Sequence, residues 1–203
     1  MSTENRYHRF LNLPFELNKP KLIEEVGFPD YPKHENFNEY EDPNIMPFLH
    51  SLGLKCNHVE MFYTPPNGGE LPIHTDLAAL DDRTKINLTW APDDSTIRWW
   101  KARDENDIIN TSAMQSSDAQ AIIDAPTGEF SEAEHQNLIA YEEDCDMVWE
   151  ANTNRVSLCN VGQLHSTYNP GDFGRWTLCF HISKGDTFLG WDEALVDFAD
   201  YME

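Results

Sequence analysis

RWTLCFHI, at residues 175–182, is the stretch of this chain that most clearly predicts its fold. Polar or small side chains alternate in it with large apolar ones, and successive side chains of a β-strand point to opposite faces of the sheet. The polar face carries Arg175, Thr177, Cys179 and His181. A half-buried strand at a protein surface shows the same alternation. If the apolar face instead packs on flanking helices, the polar face looks into the interior of a barrel.

Further strand-like segments lie before this one, and turn signals separate them. They span residues 57–64, 85–90, 96–101, 146–150 and 155–160. Helical spacing of apolar residues is concentrated at the two ends of the chain, at residues 20–26, 43–53 and 188–201. Many short strands without regular strand–helix alternation predict a mainly β fold with flanking helices, either a barrel or a double-sheet jelly roll.

The chain of 203 residues is long enough to bury a core of its own, and it is predicted to form a single domain, 1–203. Its expected parts are a jelly-roll core, an N-terminal wrap and a C-terminal helix, at about residues 55–183, 1–54 and 188–203. Residues 103–150 hold 13 acidic residues and one basic residue. An acidic, solvated insert is therefore predicted at about 101–146, with one helix near Glu132–Tyr141.

Composition restricts the classes of partner. The chain carries 36 Asp and Glu against 14 Lys and Arg, a formal net charge of −22 at pH 7. Such a surface repels phosphate backbones and anionic headgroups, so we expect neither nucleic acid nor a membrane as a partner. No apolar run approaches the ~18 residues of a transmembrane helix, and the N-terminus lacks the apolar region of a signal peptide. The four cysteines show no CxxC spacing. A cytoplasmic location with reduced thiols is predicted.

Three side chains stand out as candidate metal ligands. His74-Thr75-Asp76 places an imidazole and a carboxylate on the same face of an extended strand, since the strand period is two. His165 follows a β-rich run and precedes a turn, the setting expected of a ligand at a strand end. Two histidines and one carboxylate can form the facial triad that holds non-heme Fe(II) and leaves coordination positions open. Each residue taken alone is more often structural, and an incidental His-x-Asp pair is the simpler interpretation of that motif by itself.

Basic residues are informative in so acidic a chain, because an anionic substrate needs local positive charge. Arg175 and Thr177 lie two residues apart on the polar face of the strand quoted above. A guanidinium can hold a carboxylate through two parallel hydrogen bonds, and the hydroxyl can add a third. An unpaired guanidinium inside a barrel would be costly, and a bound anion would remove that cost. We therefore expect these two side chains to bind a carboxylate.

The series His74-x-Asp76, His165, Arg175 and Thr177 resembles, in this order, the motif of the 2-oxoglutarate- and Fe(II)-dependent oxygenases. The resemblance spans most of the predicted core and implies that family's double-stranded β-helix, a cupin-like jelly roll. It implies that the first three residues bind Fe(II) as the catalytic centre, with 2-oxoglutarate chelating the iron. It also implies that the last two hold the far carboxylate of 2-oxoglutarate, that O2 is consumed, and that succinate and carbon dioxide are released.

Three further contacts to 2-oxoglutarate are suggested by the same resemblance. Several family members place a tyrosine where Tyr63 precedes the metal motif, and the strand after the motif offers Asn87 or Trp90 as another donor. Asp76 stands where related halogenases have a small residue, so the expected reaction is hydroxylation of a C–H bond. From residue 74 to residue 165 the interval is 91 positions, longer than is usual in the family, and the acidic insert accounts for the excess.

Two other interpretations remain open. A cupin-like metalloenzyme that does not use 2-oxoglutarate predicts that metal binding and activity survive the loss of Arg175. A non-enzymatic jelly roll, serving as a binding or structural module, predicts that His74 and His165 lie far apart. The sequence does not distinguish a peptide substrate from a small-molecule substrate. The other histidines are left unassigned: His8, His34, His50, His58, His135 and His181.

Overall fold

The computed structural model describes residues 5–31, 33–37, 40, 42–66, 69–70, 73–77, 79–91, 94–111 and 137–203. In chain order its strands are β1 (His8–Phe10), β2 (Lys33–Asn36), β3 (Leu54–Thr64), β4 (Gly69–Glu70), β5 (Ile73–His74), β6 (Thr84–Trp90), β7 (Thr96–Ala102), β8 (Ile109–Asn110), β9 (Leu138–Ala140), β10 (Cys145–Ala151), β11 (Ser157–Asn160), β12 (His165–Asn169), β13 (Arg175–Lys184) and β14 (Thr187–Phe188). The helices are α1 (Lys21–Val26), α2 (Ile45–Ser51) and α3 (Trp191–Asp197), and short 3-10 turns occupy Glu105–Asp107, Glu142–Asp144 and Ala199–Tyr201.

The strands form two curled antiparallel sheets, and the fold is a jelly roll with flanking helices, as predicted. In the major sheet the order is β1-β11-β6-β13-β3-β2, with β14 also paired to β13. In the minor sheet the order is β10-β7-β12-β5-β9-β8, with β4 also paired to β12. Each sheet joins strands that are distant in sequence, so residues from both ends of the chain meet in the interior.

Strand β13 lies near the centre of the major sheet, between β6 and β3, and explains how the polar interior is built. Its apolar face, which includes Trp176 and Phe180, is fully buried in the largest hydrophobic cluster. The helices close that outer face with side chains such as Leu49 of α2 and Trp191 of α3. The helices therefore cover the apolar side, and the polar side of β13 looks inward between the two sheets.

Strand register decides which other side chains reach the interior. Residue 177 of β13 pairs with Thr89 of β6 and Phe62 of β3, and residue 181 pairs with Lys85 and His58. From the minor sheet, Trp99 packs with Cys159 of the major sheet in a small apolar cluster. The indole Nε1 of Trp99 also donates a hydrogen bond of 2.8 Å to the Asn160 carbonyl. The two sheets are thus in direct contact at one end of the interior.

The acidic segment predicted as an insert at about 101–146 takes part in the minor sheet at both of its ends. Strands β8 and β9 pair with each other, and β9 pairs with β5. The predicted helix near Glu132–Tyr141 is wrong at its described end, because residues 138–140 form β9. These residues satisfy their backbone groups by pairing with β5, which local composition does not indicate. Residues 112–136 lie outside the described part of the chain, and the division into a core with an insert stays a prediction.

None of the helices in the described ranges is long and apolar enough to span a bilayer.

Candidate metal centre

His74 and His165 come together because strands β5 and β12 pair with these two residues directly opposite each other. Asp76 follows β5, and its backbone N–H donates a 3.1 Å hydrogen bond to the Val161 carbonyl. Strand β9 supports the motif from the other side, since the Leu138 N–H donates to the Thr75 hydroxyl over 3.1 Å. The end of the acidic segment thereby helps to hold the motif in place.

The three predicted ligands present their donor atoms to one another. The Asp76 Oδ1 atom lies 3.7 Å from Nε2 of His74 and 3.4 Å from Nε2 of His165. The two imidazole rings are tilted by 45°, with centroids 4.5 Å apart. All three donor atoms fall within 4.8 Å of one another. Octahedral ligands at about 2.1 Å from one ion stand about 3 Å apart, so a small contraction would suit a single cation.

Hydrogen bonding fixes the tautomer of the distal histidine. His165 Nδ1 lies 2.9 Å from the Gln163 carbonyl oxygen, which can only accept, so this nitrogen carries the proton. In the neutral ring Nε2 then offers a lone pair toward the Asp76 carboxylate. Two acceptors facing each other need a cation or a proton between them. This backbone contact is the kind of outer-shell bond that orients a metal-binding histidine.

The second oxygen of Asp76 contacts a buried ammonium. Lys85 Nζ lies 2.5 Å from Asp76 Oδ2 and 3.3 Å from Glu60 Oε2, so one lysine joins two carboxylates from different parts of the chain. Burial alone would raise the pKa of Asp76, but the charge of Lys85 outweighs this and holds the pKa well below its usual range. Burial would lower the pKa of Lys85, and the two carboxylates outweigh this and raise it. Oδ1 is left directed at the histidines.

Arg175 is buried in the same interior without a carboxylate partner among the described residues. Its Nη2 donates to the hydroxyls of Thr89 at 3.4 Å and Thr153 at 3.3 Å, and Nε has no partner in the described residues. The Thr177 hydroxyl lies 3.2 Å from that of Thr89. Burial lowers the pKa of Arg175 to about 10. A desolvated guanidinium whose described partners are neutral hydroxyls would be stabilised by an anion.

Asn87 also faces the interior, since it pairs with Cys179 on the inward face of β13. Its Oδ1 atom and the hydroxyl of Thr167 on β12 are buried without a hydrogen-bond partner in the described residues. Buried polar groups are normally satisfied, so such atoms indicate a ligand or ordered water. The sequence-based reasoning missed Thr153, because it lies in the loop after β10, where no strand periodicity marks it.

Tyr63 and Trp90 lie on the opposite face of the major sheet, so the expectation that they contact 2-oxoglutarate is not met. The Tyr63 hydroxyl donates a 2.7 Å hydrogen bond to the Pro29 carbonyl, and its ring packs 4.8 Å from that of Trp176. Trp90 pairs with Trp176 and packs against the outer cluster. The reason is strand parity: both residues are an odd number of positions from the inward-facing residues of their strands.

A second group of potential ligands was missed. His58 and Glu60 of β3 and His181 of β13 bring three donor atoms within 4.8 Å of one another. The sequence did carry a signal, because His58-x-Glu60 has the same spacing and parity as His74-x-Asp76. Hydrogen bonds from His181 and the charge of Lys85 overcome the effect of burial and lower the pKa of Glu60, whereas burial lowers the pKa of His181 to about 4.

Comparison with known proteins finds no matching family model and no matching curated protein. Solved structures with a similar fold include EvdMO1, at 13% identity and a TM-score of 0.41; the match covers 77% of this chain and 36% of EvdMO1. HygX from Streptomyces hygroscopicus, solved with nickel and 2-oxoglutarate bound, is 12% identical with a TM-score of 0.41, over 83% of this chain and 76% of HygX. SnoK, a non-heme alpha ketoglutarate dependent carbocyclase from nogalamycin biosynthesis, is 11% identical with a TM-score of 0.40, over 79% of this chain and 71% of SnoK. Because these similarities are so distant, function is inferred from the chain's own side chains.

Proposed function

We propose that this chain is an oxygenase that uses Fe(II) and 2-oxoglutarate to hydroxylate a C–H bond of a small molecule or a peptide. The observation that supports it is the pairing of two features in one interior. Two imidazoles and one carboxylate converge at His74, Asp76 and His165. Arg175, a buried cation without a carboxylate partner among the described residues, faces the same interior from the inward side of β13.

The donor set suits iron. Two imidazole nitrogens and one carboxylate oxygen are the ligands of the non-heme Fe(II) facial triad, which leaves positions for a co-substrate and O2. Bound iron would supply the activation of O2, coupled to the conversion of 2-oxoglutarate to succinate and carbon dioxide. Lys85 keeps Asp76 ionised and occupies Oδ2, so that only Oδ1 faces the histidines.

The co-substrate site follows from the charge of Arg175. We assign the far carboxylate of 2-oxoglutarate to its guanidinium and to the surrounding hydroxyls of Thr89, Thr153 and Thr177. Asn87, on the same inward face, is a further contact in this proposal. An anion placed there would satisfy the free Nε atom and offset the cost of burying the cation.

One side of the centre is closed by a buried aromatic side chain. His165 pairs across the sheet with Trp99, whose indole is fully buried between the two sheets. A buried apolar surface of this kind strengthens the electrostatic interactions of the site and protects reactive species from side reactions. We retain, as part of the proposal, a cytoplasmic location and the expectation that neither nucleic acid nor a membrane is a partner.

The proposal is tested by anaerobic binding of Fe(II) and 2-oxoglutarate, followed by succinate formation in the presence of O2. The wild-type protein should bind both and release succinate slowly even without its substrate. His74→Ala should lose the iron bound at this centre and the succinate formed there, and the exposed His50→Ala is the matched control. Arg175→Met should keep iron but lose 2-oxoglutarate, with the exposed Arg6→Met as its control.

Each rival has its own outcome in the same assay. If Arg175→Met keeps both metal binding and activity, the cupin-like enzyme that does not use 2-oxoglutarate replaces the proposal. If the wild-type protein binds neither Fe(II) nor 2-oxoglutarate without oxygen, the non-enzymatic jelly roll replaces it.

A further inference from the structure

The interior contains a second convergent group at the His58–Glu60–His181 cluster. It arises from register: residue 181 of β13 pairs with residue 58 of β3, and Glu60 faces the same interior two residues along. The group therefore lies on paired central strands of the major sheet, where the backbone holds its positions. None of its three residues takes part in the metal centre described above.

The three residues of this cluster bring their donor atoms close together, within 4.8 Å of one another. Glu60 Oε1 lies 3.2 Å from Nε2 of His58, and Glu60 Oε2 is in contact with Nε2 of His181. The two imidazole rings stack with centroids 3.6 Å apart and a 26° angle between planes, and both Nε2 atoms face the Glu60 carboxylate. A fourth donor is close, because Nε2 of His34 lies 3.6 Å from Glu60 Oε1.

We propose that His58, Glu60 and His181 form a second metal site, one that takes a divalent transition metal. Imidazole nitrogen with one carboxylate suits Zn(II) and the neighbouring first-row metals rather than Ca(II) or Mg(II), which prefer sites built from oxygen alone. Binding one ion through both Nε2 atoms requires the stacked rings to spread, and His34 can complete the coordination from β2.

Lys85 couples the two sites. Its ammonium contacts Glu60 of the second site and Asp76 of the first, so an ion in either site lies next to the same positive charge. Two divalent ions on either side of one ammonium repel each other across a poorly solvated interior. The second equivalent of metal should therefore bind more weakly than the first, by about tenfold or more. The inference does not depend on the use of 2-oxoglutarate.

The test is a titration of the metal-free chain with Zn(II), read by equilibrium dialysis and elemental analysis. Excess Mg(II) and salt suppress loose binding to the acidic surface. We expect close to two Zn(II) per wild-type chain, one in His58→Ala/His181→Ala, and one in His74→Ala/His165→Ala. Glu60→Gln, which preserves size, should also bind one; the exposed Glu25→Gln and His50→Ala are controls that should bind two.

The outcomes separate this inference from the proposed function. One Zn(II) per wild-type chain, lost in the His74/His165 variant but kept in the His58/His181 variant, overturns the second site and leaves the first. The reverse pattern supports the second site and overturns the first. Two Zn(II) in both the His58/His181 variant and Glu60→Gln would also overturn the second site, and no bound Zn(II) in folded wild-type protein would overturn both.

Discussion

Replacing Lys85 with Met should destabilise the metal-free protein and, at the same time, tighten its hold on metal. The side chain of Lys85 is 5% exposed, and its ammonium is within 3.3 Å of Glu60 and 2.5 Å of Asp76. Methionine fills a similar volume but leaves two buried carboxylates without their shared cation. A divalent cation at Asp76 would then restore the missing positive charge.

The magnitude follows from the same contacts. Removing one partner of a buried ion pair costs about 3–5 kcal/mol. Because Glu60 keeps its histidine contacts, we expect a loss near the lower end, about 3 kcal/mol in the free energy of unfolding. A unit charge and a divalent charge about 5 Å apart interact by about 7 kcal/mol at an effective dielectric of 20. Even a fifth of that repulsion, once removed, corresponds to about tenfold tighter metal binding.

The assay is urea unfolding of the metal-free protein, followed by the same measurement at one fixed Zn(II) concentration, about 100 times the wild-type dissociation constant, where one bound ion adds about 2.7 kcal/mol and tighter binding adds more. The matched control is Lys55→Met, an exposed lysine on β3. A Lys85→Met protein that unfolds like wild type without metal refutes the ion-pair reasoning. Weaker metal binding by that variant would show instead that Lys85 holds Asp76 in place for the ion.

Three other substitutions test separate parts of the structure. Arg175→Met should leave the urea midpoint unchanged or raise it, since it removes a buried charge that has no counter-ion among the described residues. The affinity for 2-oxoglutarate, measured by calorimetry, should fall at least 100-fold. Gly174→Ala should lower the free energy of unfolding in urea by about 1–3 kcal/mol or more, because a Cβ there would lie 2.0 Å from the Tyr63 hydroxyl oxygen. Gly190→Ala is the control and should cost far less, since its Cβ would lie 3.7 Å from the nearest atom. Burial and the charge of Arg9 lower the pKa of His8 to about 4, so between about pH 6.5 and 4 the unfolded chain binds more protons than the folded one, and the wild type loses stability as the pH falls. His8→Phe should reduce the slope of the free energy of unfolding against pH by up to about 1.4 kcal/mol per pH unit.

Each of these has a contrary result. A large drop in stability on loss of Arg175 would indicate that the positive charge of its guanidinium is already balanced by the protein in the absence of a ligand. Equal costs for the two glycine variants would contradict the close approach of Tyr63. An unchanged pH slope after replacement of His8 would mean that this ring does not titrate on unfolding.

Strand alternation carried most of the fold prediction. The pattern at residues 175–182 correctly predicted an inward polar face and an outward apolar one. Successive side chains of a strand point to opposite faces, and here the apolar face packs under the helices while the polar face lines the space between the sheets. The same rule also contained the correction for Tyr63, which shares parity with the apolar residues Val59 and Met61. Placing Tyr63 by family resemblance, against its own strand's parity, produced the error.

Other parts of the site could not be read from sequence. Lys85 begins a strand-like segment, and a lysine in that position is usually exposed; only the meeting of β6 with the residues after β5 buries it beside Asp76. Thr153 is brought to Arg175 by a loop without a pattern. The pairing of β9 with β5 depends on residues more than 60 positions apart, beyond any local signal.

The contact between Asp76 and Lys85 has a consequence for the mechanics of the molecule. Asp76 follows a strand of the minor sheet and Lys85 belongs to the major one, so this ion pair crosses the gap between layers. Separating the layers therefore pulls these opposite charges apart, while His74 and His165 stay paired within the minor sheet. Opening of the two layers therefore costs the energy of a largely buried ion pair, and loss of Lys85 should lower the resistance of both layers to hydrogen exchange in the metal-free protein.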